Sequence, residues 1–126
     1  MQYLLLVYTD PGLLAELPAG EYDRLMHGCL CHADALQAQG TLLMAQQLQK
    51  PGAARAVRVR NGQPMVTDGP FAETKEFLAG FNLIEAEDLE AATRIAHEFP
   101  WTRYGCIEVR PLHDMNAERR RVGIAA

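Results

Sequence analysis

The sequence contains no apolar run near the roughly 20 residues that a membrane-spanning helix requires. The opening MQYLLLVYTD is apolar, but it lacks a basic flank and a small-residue cleavage site, so it reads as a first strand rather than a signal peptide. Basic charge is also scarce. Twelve Lys and Arg stand against sixteen Asp and Glu, for a net charge of −4. A chain of that balance is not expected to displace counterions from nucleic acid. The one basic run, Arg119-Arg120-Arg121, reads as a solvated tail. Cysteine is limited to Cys29, Cys31 and Cys106. An odd count without framework spacing points to reduced thiols and a cytoplasmic setting. There is no GxGxxG, P-loop, HExxH or serine elbow. His27, Cys31 and Asp34 recur at helical spacing, yet no distal ligand accompanies them, and no metal site is expected.

Patterning supplies the positive information. Tyr3–Thr9 is apolar on both alternating sets, as in a strand buried on two faces, and Asp10-Pro11-Gly12 closes it. From Glu21, residues Tyr22, Leu25, Met26, Cys29, His32, Ala33 and Leu36 recur at steps of three and four, the spacing of an amphipathic helix ended by Gly40. Thr41–Leu48 reads as a second strand. Residues Arg55–Thr67 flank Asn61-Gly62, the signature of a type I′ hairpin, and Pro64 confines its arm to an edge. Phe77–Ala86 is a further strand in which Gly80 marks a bulge or a close backbone approach. Asp88 caps a helix that Pro100 stops, and Tyr104–Arg110 is the last strand. The segment after Pro111 has no clear period.

Two strand–helix–strand units with an inserted hairpin describe an α+β ferredoxin-like sandwich, with both helices on one sheet face. The strands are apolar on the second face too. The expected cover is the same face of another copy, giving a homodimer and a dimeric α/β barrel.

The segment Asp68-Gly69-Pro70-Phe71-Ala72-Glu73-Thr74-Lys75-Glu76 concentrates ionisable groups between hairpin and strand. Asp68, Glu73 and Glu76 are candidate acids or bases, and Lys75 a candidate anion holder. The plainer reading is a turn followed by a solvated loop. With DGPFAETKE, the opening YLLLVY, the Gly40 break, VRVRNGQPMVTDGPF, FLAGFNLIEAEDLEAA and YGCIEVRPL in order, the chain resembles the DGPF family of the YCII-related superfamily over residues 1–111. Residues 112–126 form a tail outside that resemblance.

The resemblance implies a bacterial, dimeric α+β barrel with no obligatory cofactor. Superfamily relatives resemble small decyclising or dehalogenating enzymes and muconolactone isomerases. Some use a histidine–aspartate pair in the cleft between the sheet and the first helix. Here that pair would be His32 and Asp68, although the superfamily histidine, counted back from Gly40, falls near Cys29. Paired with Asp68, His32 would gain a fixed tautomer and could move a proton α to a carbonyl. The alternative for His32 is a partly buried ring bonded to a backbone carbonyl. Glu73, Thr74, Lys75, Glu76, Arg103 and Tyr104 are the expected ligand-binding residues. DGPF proteins are often encoded beside extracytoplasmic-function sigma factors. Two functions follow: a ligand-binding or regulatory module with a sigma-factor-linked protein partner, or a cofactor-independent enzyme transferring a proton on a small organic acid or lactone.

Overall fold

The computed structural model of the chain describes residues 1–70 and 74–125. The elements are β1 (Gln2–Thr9), α1 (Pro11–Ala15), α2 (Glu21–Ala38), β2 (Leu42–Gln47), β3 (Arg55–Arg60), β4 (Gln63–Asp68), β5 (Phe77–Glu85), α3 (Leu89–His97), β6 (Gly105–Pro111) and α4 (Met115–Arg121). The protein is α+β. Its antiparallel four-stranded sheet has the order β2-β5-β1-β6, and among the described residues β3 and β4 pair only with each other. This order is consistent with a ferredoxin-like plan carrying a hairpin insertion.

Register explains how the core forms. Tyr3, Leu5 and Val7 stand opposite Ile84, Asn82 and Gly80, and all six share the sheet face that α2 and α3 cover. Leu36, Leu42, Ala92, Ala96, Phe99 and Trp101 complete the buried cluster. On the other face, Leu4, Leu6, Phe81 and Leu83 are only half-buried and Met44 is exposed.

Local chemistry sets the element ends. Asp88 accepts a hydrogen bond from the Ala91 N–H at 2.8 Å and so caps α3. Asn61 and Gly62 both have positive φ, 52° and 75°, as a type I′ turn demands. Asp10 does more than close a strand: with Pro11 following, it caps α1, accepting from the Gly12 N–H at 2.9 Å. The unassigned tail also folds locally. Asp114 caps α4, accepting from the Ala117 N–H at 3.1 Å, while Arg121, and then His113, hold the Glu118 carboxyl below its usual range.

Two glycines separate backbone cost from steric need. Gly28 lies mid-helix, where an added Cβ meets nothing within 4 Å. At Gly80 the Cβ would come within 2.6 Å of the Gln46 carbonyl oxygen, beside the register shift between Val7 and Tyr8. Gly28→Ala is expected to stabilise the fold by about 0.5–1 kcal/mol. Gly80→Ala is expected to destabilise it by about 1–3 kcal/mol. Urea unfolding of the two variants checks both signs, and equal effects would contradict this packing.

Candidate functional site

Helix α2 buries only Leu36, near its C-terminal end. Towards its N-terminus it stands off the sheet, and a cleft of about 620 Å³ opens between them. Tyr22, Met26, Cys29, Leu30 and Ala33 of α2 form one wall, Ala45 and Gln46 of β2 another, and Gly80 and Asn82 of β5 lie opposite. The residues themselves make room, since Gly80 and Ala45 carry little or no side chain. Tyr22 and Trp101, both in the lining, pack against each other with ring centroids 5.7 Å apart, tilted by 38°. Lys50 is the one formally charged residue of the lining, among the described residues.

Two lining groups are chemically distinctive. Burial pushes the Cys29 thiol above its ordinary range, opposed in part by the Trp101 side chain. Asn82 is buried, and among the described residues its carboxamide makes no hydrogen bond within the protein. Its polar atoms are not sealed from solvent, and the cleft is what gives them access.

A separate recess lies where β1 ends. Tyr8, Asp10, Leu13, Thr74, Lys75, Glu76 and Cys106 line it. Asp10 is 6% exposed, and the Lys75 ammonium lies 3.6 Å from its Oδ2. The adjoining Thr9 and Pro11 line the larger cleft, so Asp10 sits on the wall between the two. The pair joins a buried carboxylate to an exposed ammonium at the mouth of the recess. Burial first, and then the neighbouring Glu76 carboxylate, keep the Cys106 thiol protonated above its usual range.

The structure distributes the sequence-derived candidates unevenly. Thr74, Lys75 and Glu76 meet in the recess, with the Thr74 hydroxyl donating to the Glu76 carbonyl. Glu73 lies outside the described residues. Asp68 is at the end of β4, highly exposed, with Arg55 at 3.5 Å. His32 instead packs edge-on against Phe99, its Nε2 3.3 Å from Glu98 Oε1. That Nε2 is enclosed, and the Glu98 oxygen, although near, is not aligned for a hydrogen bond. No hydrogen bond or ion pair joins His32 to Asp68 among the described residues, so the expected dyad is not formed here. Each side chain is held by a neighbour of its own, one at the α3 end of the molecule and one on the hairpin. Arg103 is exposed and lines neither cavity, and Tyr104 packs on the core while its carbonyl accepts from the Asp10 N–H at 2.7 Å. Trp101, two residues earlier, supplies the cleft wall instead.

Asp10, Asn82 and Trp101 are the site residues that sequence reasoning missed. For Asp10 the available signal was Asp before Pro, which marks a helix start as readily as a turn. Asn82, a polar residue on the inward set of an otherwise apolar strand, also left a readable trace.

Against this geometry the comparisons with known proteins are informative about lineage. The YCII-related domain profile matches residues 1–116, and the chain belongs to that family. A relative from Rhizobium meliloti (strain 1021), "Uncharacterized protein R00369", is 35% identical over 116 residues, covering 89% of this chain and 92% of its own. Neither assigns a reaction. No helix among the described residues is long and apolar enough to cross a membrane.

The cysteines report on the cleft. Cys29 holds its proton to higher pH when folded than when unfolded, so its contribution to stability is full below the ordinary thiol range. That contribution declines as pH rises through the range. Iodoacetamide near pH 8 is expected to alkylate Cys29 at least about tenfold more slowly in the folded protein than in urea, because the thiolate is the nucleophile. Exposed Cys31 is the internal control. Mass-spectrometric rates that match for Cys29 in both states would contradict the placement.

Proposed function

We propose that the chain is a ligand-binding module whose cleft under α2 receives a small, largely apolar organic molecule. The observation that carries this reading is the cleft itself. Its volume of about 620 Å³ falls within the roughly 300–1,000 Å³ of ordinary ligand sites. Its walls are mainly apolar and aromatic, and among the described residues Lys50 alone supplies charge. In a regulatory role, occupancy would be the signal, and a sigma-factor-linked protein would be its recipient.

The apolar fluorophore N-phenyl-1-naphthylamine tests the reading. It is expected to bind saturably at one site per chain. Ala45→Trp, which fills the cleft from β2, is expected to weaken binding at least about tenfold with an unchanged far-ultraviolet circular dichroism spectrum. Undiminished binding in that folded variant would place the dye elsewhere and remove the support.

We also propose that a second copy covers the open sheet face. Leu4, Leu6, Phe81 and Leu83 form a contiguous apolar surface there, flanked by Met44. Such surfaces on soluble chains are commonly contact sites. Sedimentation equilibrium is expected to return twice the 14.0 kDa chain mass at micromolar concentration. Leu6→Glu is expected to shift the protein to monomers. A wild-type chain that sediments as a monomer sinks the proposal.

A further inference from the structure

Asn82 occupies the middle of β5, on the face turned towards α2. Its neighbours across the sheet are Leu5 and Ala45, whose side chains offer no hydrogen bond. The residue is 9% exposed, lines the cleft, and makes no side-chain hydrogen bond to the described residues. Buried amides are normally paired. One that is unpaired inside the chain while opening on a cavity is placed to bond something that enters the cavity. The rim residues Gln46, Gln47 and Gln49 also carry carboxamides, but they are exposed, and bulk water satisfies them.

We infer that Asn82 is the polar anchor of the cleft and selects neutral, flat, mostly apolar molecules bearing a carboxamide, a lactam or a similar adjacent donor–acceptor pair. This names the ligand class for the cleft and rests on the reading that the cleft binds ligands. Three features set the class. A carboxamide offers an N–H₂ donor beside a carbonyl acceptor, so its best complement presents the same pair reversed. Among the described residues the lining has no carboxylate or guanidinium, and its one charged group, Lys50, is exposed to solvent, so a charged ligand in the interior would lose its hydration without a buried partner. Tyr22 and Trp101 offer aromatic surface to a planar ring. Hydrogen bonding then supplies the discrimination that apolar contact cannot, because a buried polar group left unmatched opposes the wrong ligand.

Two near-isosteric probes test this by displacement of N-phenyl-1-naphthylamine: 2-naphthamide, which carries the donor–acceptor pair, and 2-isopropenylnaphthalene, which does not. The ratio of their affinities is measured in the wild type and in Asn82→Leu. The expected result is that the ratio falls at least about tenfold in the variant, through weaker naphthamide binding. A ratio that moves less than about twofold, with the fluorophore still bound by both proteins, overturns the anchor role and leaves the cleft reading intact. The unpaired amide would then simply hold water. Failure of the wild type to bind the fluorophore at all overturns the cleft reading, and this inference with it. A measurement on the wild type guards against misfolding of the variant. The side-chain NH₂ resonances of Asn82 are expected to shift on addition of 2-naphthamide and not of 2-isopropenylnaphthalene. Identical responses to the two probes would reject the anchor.

Discussion

Helix α2 is fixed to the sheet at one end and stands away from it at the other, and the cavity depends on that difference. Leu36 is driven into the core beside Leu42, where the chain turns from helix to strand. The next turns of the helix meet a stretch of sheet that has little to fill the space: Gly80 has no side chain and Ala45 has one carbon. A larger residue at Gly80 is costly, because its Cβ would lie 2.6 Å from the Gln46 carbonyl oxygen. The close pairing of β2 with β5 thus both builds the sheet and thins the floor beneath α2. Met26, Cys29 and Ala33 pack against the edge of the core without closing the gap.

The motif loop and the helix end supply a second chemistry next to the first. Asp10 is buried because its carboxylate turns back to cap α1 and its backbone N–H binds the Tyr104 carbonyl. Lys75 reaches it from the far side of the hairpin insertion. A charge so enclosed needs partners, and the ammonium and the capped N–H provide them. Lys75 therefore links the segment just before β5 to the end of β1. Asp68, the first residue of the motif, takes no part in this tether. It stays with Arg55 across the hairpin ladder.

Most of the fold was legible in the sequence because its signals are local and mutually consistent. The period changes at Glu21, the Asn61-Gly62 turn and the Asp88 cap each coincide with an observed boundary. The role suggested for Gly80 was legible as well: it carries both a close approach and a neighbouring bulge. The short helices α1 and α4 were not, because each depends on an aspartate cap and runs for too few residues to show a period. The site was the least legible part. Helical spacing put His32 on the inward stripe, but a stripe spans more than one neighbour, and its outer edge meets Phe99 and Glu98 rather than the motif. Which residues leave a gap between them is a property of packing, and no spacing in the sequence encodes it.

The strand order carries a consequence for how the chain comes to be folded. β1 precedes the other elements in the chain and sits inside the sheet, yet both of its partners come later: Gln2 pairs with Glu85 and Tyr3 with Pro111. During translation an eight-residue apolar strand must therefore wait, unpaired, until most of the chain has emerged. Such distant pairings carry a large loop-closure entropy and slow the search. Helix α2, which forms from neighbouring residues, is made before either partner strand of β1. One wall of the cavity is therefore available to the chain before the sheet that faces it can be completed.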